Sequence, residues 1–435
     1  MTVEPDPSGY PTPRRARLSQ AVLVAVAFFT AMDIYLISLL VEPIKRDLGL
    51  SDIQIGLANT TVLYGAYAAF CVPMGLLVDR IHRVRLLAAA MLLWSAGLLL
   101  TGLSTSITLL VASKGLLGLA NAITLPAAMS LLADYFPPRR RAMATTSYGL
   151  GQGIGQAGAI FIGGLGLAAL GRLAMAQPDL VFGFAPWRLI SLAFALAGAL
   201  LVPAILSLRE PARMEVRQRG GGTLWELWTY RAFLLPLLAG TTCLSAMSTG
   251  VLSWLPPALT RLYGEQPGDF AGWFGSVSLV SVLAGMFTAG KLGEAVHRRA
   301  GRTQVMRPAI YASLFCIPAS FLAMTPNTAW VAAGAVLFTF AYAVAISMPM
   351  IAISLRIPNE LRGAVMGFYI VSVAVSGAFA APLVALASAA LGGDARLGEG
   401  MAMIGAPSAL VAALSFWRMA RKDAVEFSDR GGGGR

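Results

Sequence analysis

The sequence predicts an all-α membrane protein, with twelve transmembrane helices in two pseudo-symmetric six-helix bundles. Composition is the first reason. Of 435 residues, 57% are hydrophobic and only 12% charged, with a mean hydropathy of +0.70. No single soluble core hides that much apolar surface, so lipid is the solvent for most of the chain. The second reason is length: twelve apolar runs lie near the roughly 20 residues that a bilayer demands. The third is a short charged motif that recurs, half onto half.

The runs fall at 18–41, 54–78, 86–103, 107–132, 143–170, 187–208, 232–255, 270–293, 308–324, 328–354, 363–390 and 401–418. Lipid offers backbone groups no hydrogen-bond partner, and runs this continuously apolar exclude the alternation of a barrel, so each is a helix. Residues 1–17 are polar and end in Arg14, Arg15 and Arg17, and the apolar run that follows has no small-residue cleavage site. The first helix is therefore expected as an anchor rather than a signal peptide. The expected domains are a cytoplasmic tail at 1–17, a bundle at 18–208, a cytoplasmic linker at 209–231, a second bundle at 232–418 and a cytoplasmic tail at 419–435. The linker holds Arg209, Arg213, Arg217, Arg219 and the triplet Gly220, Gly221 and Gly222, the composition of a flexible basic connector.

Orientation follows from the basic residues. An inner N-terminus assigns 26 of the 33 Lys and Arg to inner segments and six to outer loops: Lys45, Arg46, Arg172, Arg188, Arg261 and Arg396. Both termini are then cytoplasmic. The excess of arginine over lysine, 29 to 4, points to a GC-rich bacterial source and hence to a bacterial inner membrane.

The net charge of +12 is spent on this topology. No interleaved aromatic and basic platform for nucleic acid occurs, so no nucleic-acid partner is expected. Cys71, Cys243 and Cys316 lie in apolar runs, and with only His82 and His297 no metal-ligand spacing arises, so neither metal nor cofactor is expected. The match to GxGxxG at Gly153 to Gly158 has no preceding strand and lies inside a span. Gly149, Gly151, Gly153 and Gly155 are expected instead to let the fifth helix approach a neighbour and bend.

The inner loop after the second span reads GLLVDRIHRVRLL, from Gly75 to Leu87. Gly75 and three apolar residues precede Asp79 and Arg80, and Arg83 and Arg85 follow. The second half has a worn counterpart in Gly290 and Glu294, followed by His297, Arg298 and Arg299. Pro137, Arg141 and Ala142 likewise recur as Pro358, Arg362, Gly363 and Ala364. Duplicated bundles in one orientation are common among transporters.

This loop resembles the signature loop of the major facilitator superfamily, with His82 where that family usually has glycine. The resemblance covers roughly residues 18 to 418. Asp33 in the first helix, VEPIKRDLGLSDIQIGL from Val41 to Leu57 and DYFPPRRRA from Asp134 to Ala142 look most like the spinster-like and anion:cation symporter branches. Those branches commonly follow the helix-one aspartate with arginine, where this chain has Ile34. They commonly carry Arg and then Glu in helix four, where it has Lys114 and Asn121. The resemblance implies that helices one and four line a central cavity. It also implies gating by Gly75, Asp79, Arg80, Arg83 and Asp134, with Asp79 against the start of helix eleven near Asn359 to Gly363 and Arg83 against Asp134.

Two charges fall deep inside spans rather than at their ends, Asp33 and Lys114. Both sit roughly 10 to 12 Å below the outer surface at about 1.5 Å per residue, and a mid-bilayer charge costs about 2.5 to 3.5 kcal/mol even on a mild scale. A permanent ion pair or a snorkelling lysine would also explain them. A titratable carboxyl beside an ammonium that can receive an anion is what a proton-coupled carrier requires. Asn121, two turns beyond Lys114, keeps the same face but cannot titrate. Further cavity candidates are Tyr35, Asn59, Tyr64, Tyr67, Gln152 and Gln156, with Thr241, Thr242, Ser245, Ser248, Tyr342 and Tyr369 in the second half.

The expected function is secondary active transport of a small organic anion by alternating access, as a proton symporter. Protons, membrane lipids and the small-molecule substrate are the partners, and the chain acts as a monomer. Export of amphipathic or lipid-like molecules, or uncoupled facilitation, stays open. An enzyme would need a catalytic or metal cluster at an interface, a receptor an output domain, and a channel a ring of charge. None of these is in the sequence.

Overall fold

The computed structural model describes residues 10–181, 183–213, 224–300 and 304–431. Among them there is no strand, and twelve helices are long and apolar enough to cross a membrane. They are α1 Pro13–Leu48, α2 Asp52–Val78, α3 Arg83–Leu103, α4 Ile107–Tyr135, α5 Pro138–Ala176 and α6 Pro186–Leu206, followed by α7 Arg231–Tyr263, α8 Pro267–Ala300, α9 Arg307–Ala319, whose span continues to Met324, α10 Thr328–Arg356, α11 Asn359–Leu391 and α12 Leu397–Gly431.

Several helices outrun the apolar stretches that announce them, because caps end a helix and hydrocarbon does not. Helix α1 begins with Pro13 in its first turn, where a missing N–H costs nothing. It ends at Gly49, whose φ of 64° lets its N–H reach the Lys45 carbonyl, with Lys45 and Arg46 against the negative helix end. Ser51 and Gln54 form a reciprocal capping box at the start of α2. Residues Leu57–Val62 of α2 then widen into a π-helical turn. The His82 side chain caps α3 by accepting from the Arg85 N–H, and Asn327 caps α10 through the Trp330 N–H at 3.1 Å. Helix α9 ends early, at Pro318 and Ala319, and its apolar run finishes as a 3-10 turn, Leu322–Met324.

The chain divides into two compact units. Unit 1 is Met1–Arg217 with Gln266–Gly275, and unit 2 is Gln218–Glu265 with Ser276–Arg435. In unit 1, α1 packs on α5, α2 on α4, and α3 on both α4 and α6. Unit 2 repeats the plan, with α7 on α11 and α9 on both α10 and α12, while Gly285 of α8 meets Phe340 and Ala343 of α10. The duplication visible in two worn motifs is therefore a duplication of packing.

Small residues make the close crossings. A Cβ on Gly155 of α5 would stand 2.2 Å from the Phe28 carbonyl oxygen of α1, and one on Gly151 would stand 2.7 Å from that of Val24. Gly149 and Gly153, on the other face, have nothing within 4 Å. Two of the four glycines expected to let α5 approach a neighbour therefore do so. Outward-facing positions are apolar: Leu200 is 69% and Phe287 64% exposed. Such an inverted surface belongs against lipid.

Candidate functional site

In unit 1 the site is assembled from α1, α2 and α4. Asp33 is 2% exposed and Lys114 1%. Lys114 is the charge that acts on Asp33, and Asp33 the charge that acts on Lys114. No ion pair within 4.0 Å joins them, and Asp33 Oδ2 is buried without a hydrogen-bond partner. Permanent pairing, one of the two structural explanations open from the sequence, is thus not the arrangement found. Buried polar atoms are nearly always paired, so the free acceptor sets Asp33 apart from an ordinary structural carboxylate.

Helix α4 positions Lys114 through a close crossing with α2. A Cβ on Gly118, one turn beyond Lys114, would lie 2.3 Å from the Leu63 carbonyl oxygen and 2.8 Å from Ala66 Cβ. Lys114, Gly118 and Asn121 share one face of α4 at helical spacing. Asn121 Nδ2 is also buried without a partner.

The other expected unit 1 residues are less enclosed. Tyr35 and Tyr64 are half-buried and each has a partner. On α5, Gln156 is half-buried and Gln152 exposed. In unit 2, Tyr369 is buried and its hydroxyl reaches the Ile346 carbonyl at 3.5 Å. Tyr342 is half-buried, and Ser245 and Ser248 are buried, with no hydrogen-bond partner for Ser245 Oγ. Unit 2 therefore offers hydroxyls where unit 1 offers charge.

A second polar cluster closes the basic end of unit 1. Arg83, 1% exposed, donates from every nitrogen of its guanidinium. Nε donates to Glu210 Oε1 at 2.6 Å, Nη2 to the Pro211 carbonyl at 3.0 Å, and Nη1 to Asp134 Oδ2 and Ser130 Oγ. Glu210 Oε2 accepts from the Val84 N–H at 3.0 Å and lies 3.1 Å from His82 Nδ1. Burial raises the Glu210 carboxyl, but the Val84 N–H and the adjacent Arg83 outweigh it and hold the group below the usual carboxylate value. Tyr135 donates to the Arg209 carbonyl at 2.7 Å. Arg213 covers the end of α2, donating to the carbonyls of Val78, Asp79 and Ile81.

Asp79 and Arg80 are exposed, and Gly75 has open space around it. The partners expected for Asp79, near Asn359 to Gly363, include side chains outside those described. The sequence reading missed Glu210, the acid at the head of a basic connector that neutralises a buried arginine. Its signal was local: an acid before proline, one residue removed from the end of an apolar run. Among the described residues, no group of three or more His, Cys, Asp or Glu is placed to hold a metal.

Comparison with known proteins agrees with this architecture. The chain is 25% identical over 426 residues to an MFS-type efflux pump of Mycolicibacterium smegmatis, covering 95% of both chains. It is 24% identical over 332 residues to the probable sulfoacetate transporter SauU of Cupriavidus necator, covering 70% of this chain and 73% of that one. Among solved structures, a bacterial homologue of the human lysosomal transporter Spinster, in an inward-facing and unoccupied conformation, superposes with a TM-score of 0.76 at 20% identity. That match covers 96% of this chain and 98% of the other. Residues 23–382 match the Major Facilitator Superfamily, and the chain belongs to that family of transporters.

Proposed function

We propose that this transporter moves a small organic anion by alternating access, coupled to protons through Asp33, with Lys114 as counter-charge to the anion. The observation that carries the reading is that Asp33 and Lys114 are both buried in unit 1 and are not locked in an ion pair. A locked pair would satisfy both groups and leave nothing for a substrate. An unlocked one can trade partners: protonation of the carboxyl frees the ammonium for an anion, and loss of the proton returns the ammonium to the carboxylate. Asn121, Tyr35, Tyr64, Gln152 and Gln156 supply the uncharged contacts in unit 1, and Tyr342 and Tyr369 are the candidates of unit 2. The cluster of Arg83, Asp134 and Glu210 works with Gly75, Asp79 and Arg80 at the gate. The basic end is cytoplasmic, in a bacterial inner membrane. A relative named for sulfoacetate supports the choice of an anion.

The test is uptake into liposomes containing only the purified protein. Accumulation of an anion driven by an inward proton gradient is expected. In Asp33→Asn that accumulation is lost while equilibrium exchange persists, and unchanged pH-driven accumulation in the mutant would overturn the coupling role. A second reading, export of amphipathic molecules, is favoured by the relative named an efflux pump, which matches nearly end to end. Outward movement of lipid-like probes with no response to anions would select it.

A further inference from the structure

We propose that Asn59, on the π-helical turn of α2, sets specificity by reading a hydrogen-bond donor carried beside the anionic group that Lys114 holds. The inference rests on the anion reading above and names a narrower class of ligand, carboxylates that bear a neighbouring hydroxyl.

Three observations lead to it. Asn59 is 5% exposed, and neither its Oδ1 nor its Nδ2 has a hydrogen-bond partner. Buried carboxamides are nearly always paired, so an amide with both ends free calls for a partner. The residue also lies within Leu57–Val62, where the helix is π rather than α. Such turns carry one residue more than an α-helix allows, and they gather at functional sites. An added residue rotates what precedes it by about 100° relative to a regular helix, which lets a polar side chain be aimed independently of the apolar face that follows.

The third observation is register. Val62 Cγ1 lies 3.9 Å from where a Cβ on Gly115 would sit, and Leu63, Ala66 and Tyr67 surround the same point on Gly118. Contacts that advance together along both helices mean that α2 and α4 run the same way. One turn before Leu63 is Asn59, and one turn before Gly118 is Lys114. The free carboxamide therefore lies within about one helical turn of the buried ammonium in depth, on the helix that packs against it.

The chemistry of the three groups differs in a useful way. An ammonium only donates and an ionised carboxylate only accepts, whereas a carboxamide does both. Lys114 alone therefore treats plain and hydroxylated carboxylates alike. With Asn59, Nδ2 donates to a ligand carboxylate while Oδ1 accepts from a hydroxyl on the adjacent carbon. A ligand lacking that hydroxyl leaves the buried Oδ1 unpaired, and sites built this way reject such analogues strongly.

The experiment uses the purified full-length protein and measures binding by thermal shift for matched pairs, lactate with propionate and 2-hydroxyhexanoate with hexanoate. Lactamide is the uncharged control. The hydroxylated member of each pair is expected to bind at least about tenfold more tightly than its partner. Asn59→Leu should weaken both members of each pair and reduce the preference to about twofold or less, because it removes the donor to the carboxylate as well as the acceptor for the hydroxyl. Asn59→Asp keeps the shape and the acceptor but loses both N–H donors and adds charge. It should weaken both members of each pair and retain the preference, so the proposal stays testable if the leucine variant does not fold. Equal binding of both members by the parent protein, or an undiminished preference in Asn59→Leu, overturns the role of Asn59 and leaves the anion reading standing. No response of the parent to any of the four acids, or an equal response to lactamide, overturns the anion reading and the inference with it.

Discussion

Nε of Arg83 donates to Oε1 of Glu210 at 2.6 Å, tying the first turn of α3 to the residues just past α6. Asp134, from the end of α4, completes the enclosure of the same guanidinium. Three helices of unit 1 thus share one buried charge, and a buried arginine is tolerated only with its donors occupied. Removing one acceptor leaves N–H groups of Arg83 without a partner. Glu210→Ala is expected to destabilise the purified protein by about 1 to 3 kcal/mol, read as an earlier thermal transition. Glu210→Gln, which keeps one acceptor oxygen, should lose less. An alanine variant as stable as the parent would mean that the cluster contributes nothing to holding unit 1 together.

The same carboxylate predicts a pH dependence. Its folded value is depressed from 4.5, so the folded state holds the ionised form more firmly than the unfolded chain does. The contribution is fully present above about 4.5, and it is lost as pH falls below that and through the lower folded value. The stability gap between parent and Glu210→Gln should therefore be flat from neutral pH to about 5 and narrow below it. A gap that widens on acidification would contradict the assignment of the shift to Arg83 and the Val84 N–H.

The crossing of α1 and α5 yields a prediction with an internal control. Gly155→Ala puts a methyl group 2.2 Å from the Phe28 carbonyl oxygen, and backbone cannot yield as a side chain can, so a cost of about 1 to 3 kcal/mol is expected. Gly153→Ala meets nothing within 4 Å, and a glycine replaced by alanine inside a helix gains about 0.5 to 1 kcal/mol. Thermal unfolding of the two variants in one detergent should move in opposite directions. Movement in the same direction would show that the glycines serve bending rather than approach.

The sequence made the architecture legible because lipid leaves few choices. Runs of about 20 apolar residues must be helices, and the recurrence of Pro137 and Arg141 as Pro358 and Arg362 disclosed two halves. Asp33 and Lys114 were legible as well, since a charge inside an apolar run is conspicuous. Three features were not. The π turn at Leu57–Val62 leaves no mark on hydropathy, because widening a helix by one residue changes hydrogen-bond partners and not composition. Glu210 reads as one acid among connector arginines until the fold places it 2.6 Å from Arg83. Which glycines of α5 touch α1 depends on the crossing point, and alternating glycines cannot announce that.

The relation between Asp33 and Lys114 gives the last test, one that does not depend on knowing the substrate. Each is buried and each is the charge acting on the other. Lys114→Met removes the ammonium and leaves Asp33 in an apolar layer with no opposite charge, and Asp33→Asn leaves Lys114 in the same position. Each single change should therefore destabilise the protein. The double change removes both charges and with them the desolvation that each imposed, so it should cost less than the two singles added together. Groups coupled in this way show interaction energies of about 0.5 to 3 kcal/mol in a double-mutant cycle. Thermal stability of the parent, the two singles and the double supplies the four corners. Additive losses would mean that the two residues do not feel one another, and Lys114 would then be only a lysine reaching toward the surface.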